Sequence, residues 1–197
     1  MWKLKVVGVI LTGGMSRRFG SPKAFAKYGD QMFYEIAAQR LAPFVDKIVI
    51  STSLELLPRW KEIEDISPIE IVTDVEKFAG EGPLSGIYST IAVVEADYYL
   101  VLPCDMPFIG TEILTELVNN GTSADVLSFQ SQSQDRKHPL VGLYSLFNFE
   151  QLSIFLEQGN RRVMDYLDIV ETSWITIEPE DEWMFQNINQ PENLQEV

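Results

Sequence analysis

The 197-residue chain is 46% hydrophobic and 22% charged, ordinary values for a globular protein and enough for a single α/β domain, residues 1–197, with a core of its own. Its net charge of −14 argues against nucleic acid, an anionic membrane or any broad polyanion as partner, and it has no apolar run of membrane-spanning length. The lone cysteine, Cys104, rules out an intramolecular disulfide and fits a reducing cytoplasm.

The chain opens "MWKLKVVGVIL", basic and then apolar. A polar Gly-rich loop follows directly, without a small-residue cleavage site, so no signal peptide is expected. Residues 5–11 are a nearly continuous apolar run, the pattern of a central parallel strand buried on both faces. A helix is predicted over 32–41. Strand-like runs recur at 47–51, 69–73 and 98–103, separated by helical candidates at 54–64 and 84–95. Then come a helix at 111–118, strands at 124–129 and 139–144, and helices at 146–158 and 161–167. Residues 172–178, "TSWITIE", alternate in polarity, which predicts an edge or half-exposed strand. Pro191 is placed to open a final helix. Strands alternating with helices predict βαβ units and right-handed crossovers. The expected fold is a Rossmann-like three-layer sandwich, a mostly parallel sheet with helices on both faces. Ligands of such sheets sit beyond the carboxyl ends of the strands, so the polar segments after strands are where a site is sought.

The first such segment is "LTGGMSRRFGSPKAF", residues 11–25. Residues 1–29 hold six of the chain's 15 Lys and Arg and none of its 29 acids. Positive charge is thus concentrated around one glycine-bearing loop. Glycine lets backbone N–H groups approach an anion, so a phosphate-binding loop is expected. Two familiar versions fail on spacing. Gly13, Gly14 and Gly20 do not give G-x-G-x-x-G, and Gly20 is followed by Ser-Pro-Lys rather than Lys-Ser/Thr. Neither a nicotinamide dehydrogenase nor a P-loop kinase is supported. What remains is G-G-x-S-x-R-x-G-x-P-K. Gly13 and Gly14 would let the chain wrap a triphosphate, with Arg18 and Lys23 neutralising it; Arg17 either joins them or is solvated.

This string resembles the signature loop of the sugar-phosphate and cofactor nucleotidyltransferases. Further segments resemble, in order, those of the molybdenum cofactor guanylyltransferases: "GEGPLSGI" (80–87), "LPCDMPFI" (102–109), "KHPLVGLY" (137–144), "GNRRVMDYL" (159–167) and "FQNINQPENL" (185–194). The resemblance implies a fold of the nucleotide-diphospho-sugar transferase type. It implies transfer of GMP from GTP to the terminal phosphate of molybdopterin, with Mg²⁺, and delivery of the product to molybdoenzymes or their chaperones. It places the nucleotide on Leu11, Thr12, Gly13, Gly14, Lys23, Ser53, Asp74, Pro83, Leu84 and Asp105. The chain departs from the family pattern at Thr12, Pro22, Ser53 and Gln190. Two other readings stay open: a cytidylyltransferase acting on molybdopterin or another phosphate acceptor, and a non-catalytic nucleotide-binding protein that delivers cofactor.

The residues themselves suggest roles. Asp105 follows an apolar strand, at the ligand edge of the sheet, where a carboxylate suits Mg²⁺; the alternative is a cap for the helix near Thr111. Cys104 reads as a buried thiol rather than a nucleophile. His138 is either a polar residue at a strand start or, by resemblance, a ligand of the acceptor phosphate. Arg161 and Arg162, at a helix start, are candidates for the same phosphate, or they pair with Asp165 or Asp168. Asn187 and Asn189, two apart in an extended segment, point the same way. They either complete the metal and pyrophosphate site or cap the last helix.

Overall fold

The structure is a computed structural model that describes residues 4–13, 21–63, 68–121, 123–133 and 135–189. The segment containing Gly14, Arg17 and Arg18, and the helix expected from Pro191, lie outside the described residues. The strands are β1 (Val6–Leu11), β2 (Lys27–Tyr28), β3 (Gln31–Met32), β4 (Lys47–Thr52), β5 (Glu70–Thr73), β6 (Tyr98–Pro103), β7 (Val126–Ser131), β8 (Lys137–Ser145) and β9 (Thr172–Ile177). The helices are α1 (Phe33–Leu41), α2 (Leu57–Lys61), α3 (Pro83–Val93), α4 (Thr111–Asn120), α5 (Phe149–Glu157) and α6 (Val163–Leu167). Seven strands form one sheet in the order β5-β4-β1-β6-β8-β7-β9, and β2 pairs with β3 in a small hairpin. Only β8 runs antiparallel to its neighbours in the large sheet.

Alternation along the central strands divides the core. Val7 and Val9 of β1, and Tyr99 and Val101 of β6, pack on one face with α3, α5 and α6. Ile10, Leu100 and Leu102 pack on the other with α1 and α4. A strand buried on both faces cannot alternate in polarity, hence the continuous apolar runs. The alternating stretch at β9 is the sheet's edge, as its pattern predicts. Helix boundaries moved more than strand boundaries. The helical candidate at 54–64 contracts to α2, five residues opening with Pro58 in its first turn, and that at 161–167 contracts to α6, which begins two residues later.

The chain order positions the site. From β1 the chain moves outward through α1 to β4 and β5. It then crosses back through α3, on the opposite face, to β6 on the other side of β1. The loops leaving β1 and β6 therefore part company above adjacent strands and open a crevice at their carboxyl ends, the switch point of an open α/β sheet.

Candidate active site

That crevice is a cleft of about 680 Å³ lined from four directions. The end of β1 contributes Leu11, Thr12 and Gly13; the β4 end, Ser51 to Ser53 and Glu55; the β5–α3 connection, Asp74, Gly80, Gly82, Pro83 and Gly86; and the β6 end, Pro103 to Met106. Arg136 to Val141 and Asn187 close the far side.

Lys23 is set by a short 3₁₀ turn, Lys23–Phe25, entered from Pro22. Ala24 is fully buried, and the Phe25 ring lies 4.4 Å from that of Trp60. Trp60 is held in turn by its indole N–H, which donates to Thr52 Oγ1 at 2.9 Å. Two apolar anchors behind the lysine fix where its ammonium can reach. Asp105 is fixed from the other side. Cys104 N–H donates to Leu11 C=O at 3.1 Å, and Ile188 N–H donates to Asp105 C=O at 2.9 Å. The two groups meet: Lys23 Nζ donates to Asp105 Oδ2 at 2.7 Å and to Asn189 Oδ1 at 2.6 Å. Eighty-two residues separate Lys23 from Asp105 in the chain, and their side chains retain 14% and 19% exposure. Asp105 does not cap α4, whose preceding residue is Gly110.

Asn187 lines the cleft and Asn189 meets Lys23, while Ile188 between them is buried. Both amides thus stand on the site side of an extended segment. Thr12, one of the positions at which the sequence departs from the pattern it resembles, turns its hydroxyl inward to donate to Ser51 C=O at 2.9 Å. Its backbone still faces the cleft, so the departure leaves the lining intact. Leu84 does not face the cleft: it is fully buried in the core beneath α3. Gly86 lies two residues further along α3, on the cleft side, and a Cβ there would clash with Ser51 Oγ and lie 3.4 Å from Leu11 Cδ2. The absence of a side chain lets the helix seat against the ends of β1 and β4 and shapes the cleft floor.

Cys104 lines the cleft but is inert as a nucleophile, because burial, aided by the adjacent Asp105 charge, pushes its thiol far above the usual range. Asp74 accepts the Gly80 N–H at 3.0 Å, and burial raises its pKa above the ordinary carboxylate value.

The far wall is built by a bulge. Ser128 pairs with Gly142 but the next residue, Phe129, pairs with His138, so residues 139–141 loop out of β8 toward the cleft. The buried Ser128 hydroxyl lies 2.9 Å from both His138 C=O and Val141 C=O, the two ends of the bulge, and Tyr144 donates its hydroxyl to Pro139 C=O at 2.6 Å. His138 is buried against Phe185, ring centroids 4.6 Å apart. Burial, with the nearby Arg136 charge and against the pull of Glu182, lowers its pKa to about 4. The ring is neutral at pH 7.

A stability prediction follows, with a definite sign. The unfolded imidazole takes up a proton near pH 6.5, the folded one only near 4. Falling pH across that window therefore favours the unfolded chain, and His138's contribution is complete only above the upper limit. Chemical denaturation should show about 2–3 kcal/mol lost over the window through this group. His138→Gln should flatten the wild-type curve there, and equal slopes for the two proteins would contradict the assignment.

Arg161 and Arg162 stand outside the cleft. Arg161 pairs with Glu81 and donates to Leu156 C=O at 2.7 Å and Asn160 C=O at 2.6 Å. Arg162 is exposed and lies 3.6 Å from Asp165. The cations that do line the far wall of the cleft are Arg136 and Lys137, which sequence reasoning passed over. The signal was present: two adjacent cations precede His138-Pro139 in the strongly acidic remainder of the chain. Gly80, Gly82 and Met106, from the segments 80–87 and 102–109, also line the cleft, as does Glu55, which nothing local in the sequence marks.

An open, mostly parallel sheet with a cleft at its switch point, where a lysine meets a carboxylate, is the frame of an α/β protein that takes its ligand at the strand ends. Comparison with known proteins makes the assignment particular. Residues 8–171 match the model of the MobA-like NTP transferase domain, and the chain belongs to that family of nucleotidyltransferases. It is 34% identical over 98% of both chains to a probable molybdenum cofactor guanylyltransferase of Geobacillus sp. (strain WCH70). It is 34% identical, over 96% of each chain, to the Halalkalibacterium halodurans protein of the same description. Among solved structures it resembles the molybdopterin-guanine dinucleotide biosynthesis protein A of Archaeoglobus fulgidus, with a TM-score of 0.78, 23% identity and coverage of 96% and 95% of the two chains. It also shares its fold with 4-diphosphocytidyl-2C-methyl-D-erythritol synthase of Anaerococcus prevotii, at a TM-score of 0.73 and 10% identity over 98% and 93% of the two chains.

Proposed function

We propose that the chain transfers GMP from GTP to the terminal phosphate of molybdenum-bearing molybdopterin, releasing pyrophosphate and forming molybdopterin guanine dinucleotide. The observation that carries the chemistry is the contact of Lys23 with Asp105 inside one cleft. Similarity along the whole chain to probable molybdenum cofactor guanylyltransferases supports the choice of substrates.

The reaction is an in-line displacement. An oxygen of the acceptor phosphate forms a bond to the α-phosphorus of GTP as the bond to the β-phosphate bridging oxygen breaks. The acceptor oxygen is already anionic and needs no general base, which suits a neutral, buried His138. What the protein must supply is alignment and charge neutralisation. The nucleotide lies along the β1, β4 and α3 side of the cleft, against Leu11 to Gly13, Ser53, Asp74 and Pro83. Its phosphates point toward Lys23. Arg136, Lys137 and His138 receive the acceptor phosphate from the opposite wall.

The donor set fits Mg²⁺. Asp105 offers a carboxylate and Asn189 an amide oxygen beside it, and among the described residues no group of three or more His, Cys, Asp or Glu forms an all-protein cage. One or two protein oxygens completed by water and phosphate are the habit of this ion. Bound there, Mg²⁺ would draw charge off the phosphate oxygens. Lys23 pairs with Asp105. An incoming triphosphate gives that ammonium a new anionic partner and frees the carboxylate, so Lys23 offsets the charge that develops on departing pyrophosphate.

The deciding experiment incubates the protein with Mg²⁺, molybdopterin and each nucleoside triphosphate in turn while pyrophosphate is measured. Release with GTP alone is expected. Release with CTP instead would make the chain a cytidylyltransferase, and none with any nucleotide would overturn the enzymatic reading in favour of a cofactor-delivery protein.

A further inference from the structure

We infer that Arg161 is a positioning residue for the nucleotide, acting through Glu81 on the Gly80–Gly82 loop; this rests on the nucleotide-transferring reading above. The loop is three residues long and alternates. Gly80 and Gly82 line the cleft, whereas the Glu81 side chain is turned away to pair with Arg161. Both glycines adopt positive φ, 75° and 100°, so the backbone here is intrinsically permissive and costly to order. Gly80 N–H donates to Asp74 at 3.0 Å, Glu81 N–H to Phe78 C=O at 3.2 Å, and Gly82 C=O accepts from Ser85 N–H at 3.1 Å, so the loop's own bonds are short-range, to residues within six positions of it. On the other side Arg161 is anchored to a different element. Its guanidinium is anchored to two carbonyls at the end of α5, Leu156 and Asn160, and lies 6.0 Å from the Phe78 ring. A second ion pair across the same seam, Lys77 to Glu157 at 2.6 Å, is more exposed. Arg161 thus transfers the fixed position of α5 to a loop that lacks stiffness of its own. A preformed loop lowers the ordering cost of binding.

The test compares wild type with Arg161→Ala, Arg161→Lys, Glu81→Ala and the double alanine variant. GTP·Mg²⁺ binding is measured by calorimetry, and amide hydrogen exchange over residues 79–83 is followed without nucleotide. Each single alanine variant is expected to weaken GTP binding about 10-fold and to speed exchange in that segment. The double variant should be no worse than either, since both remove the same tether. Arg161→Lys should recover part of the affinity, because it keeps the charge but not the carbonyl bonds. Affinity for the acceptor phosphate, held by the opposite wall, should be unchanged. A merely structural role would weaken both ligands together. Unchanged exchange at 79–83, or GTP affinity within twofold of wild type in both single alanine variants, would overturn the inference. Failure of the wild type itself to bind GTP would instead overturn the functional reading, and the exchange arm would still decide whether the tether exists.

Discussion

Lys23→Ala is expected to lower the rate of GTP-dependent pyrophosphate release by ~100-fold or more, the cost of removing one preorganised donor to a developing anion. The same change should cost about 1–2 kcal/mol of folding stability. From its place in a polar loop, Lys23 reads as an exposed side chain whose loss leaves stability untouched. Instead its side chain is only 14% exposed and paired with Asp105 at 2.7 Å, so truncation leaves a half-buried carboxylate without its cation. The pair lines an open cleft and keeps some exposure, which holds the penalty below that of a fully buried ion pair. Steady-state kinetics beside urea denaturation would separate the two effects. Loss of activity in proportion to loss of folded protein would remove Lys23 from the mechanism.

A still larger effect is expected for Asp105→Asn. The amide keeps the shape of the side chain and a neutral contact for Lys23, so the fold should survive. It surrenders the negative charge that a divalent cation requires. A loss of ~1,000-fold in turnover, about 4 kcal/mol of barrier, is the expected scale for losing metal assistance. Binding linkage offers a second measurement. GTP with Mg²⁺ at a hundred times its dissociation constant should stabilise the wild type by about 3 kcal/mol. In Asp105→Asn, thermal shift with GTP should no longer depend on Mg²⁺. A Mg²⁺-dependent shift that persists in the variant would place the metal on other ligands.

The pattern of departures between sequence and structure has physical causes. Central strands were read almost to the residue, β6 among them over 98–103, because a strand sealed on both faces must be apolar throughout and little else looks like that. The antiparallel direction of β8 and its bulge at 139–141 carried no such mark. They depend on a serine hydroxyl from the neighbouring strand bridging the bulge's ends, a contact that no local pattern records. Arg161 illustrates the converse case. An arginine at a helix start after Gly-Asn reads as an anion binder, yet the helix is five residues long and the nearest anion is Glu81, from a loop eighty residues earlier.

By itself, the amino-acid order determined which segments become buried strands, which loop gathers glycines and cations, and to which family those motifs point. These depend on local composition and periodicity, which the chain carries at every scale from a turn to a strand. Only the tertiary structure decided which charges share a cleft. It joined Lys23 to Asp105 and Asn189, brought Arg136 and Lys137 to the opposite wall, and withdrew Arg161 to the outside. Electrostatic contacts act over a few ångströms of space regardless of separation along the chain, so their partners emerge only once the sheet order and its crossovers are in place.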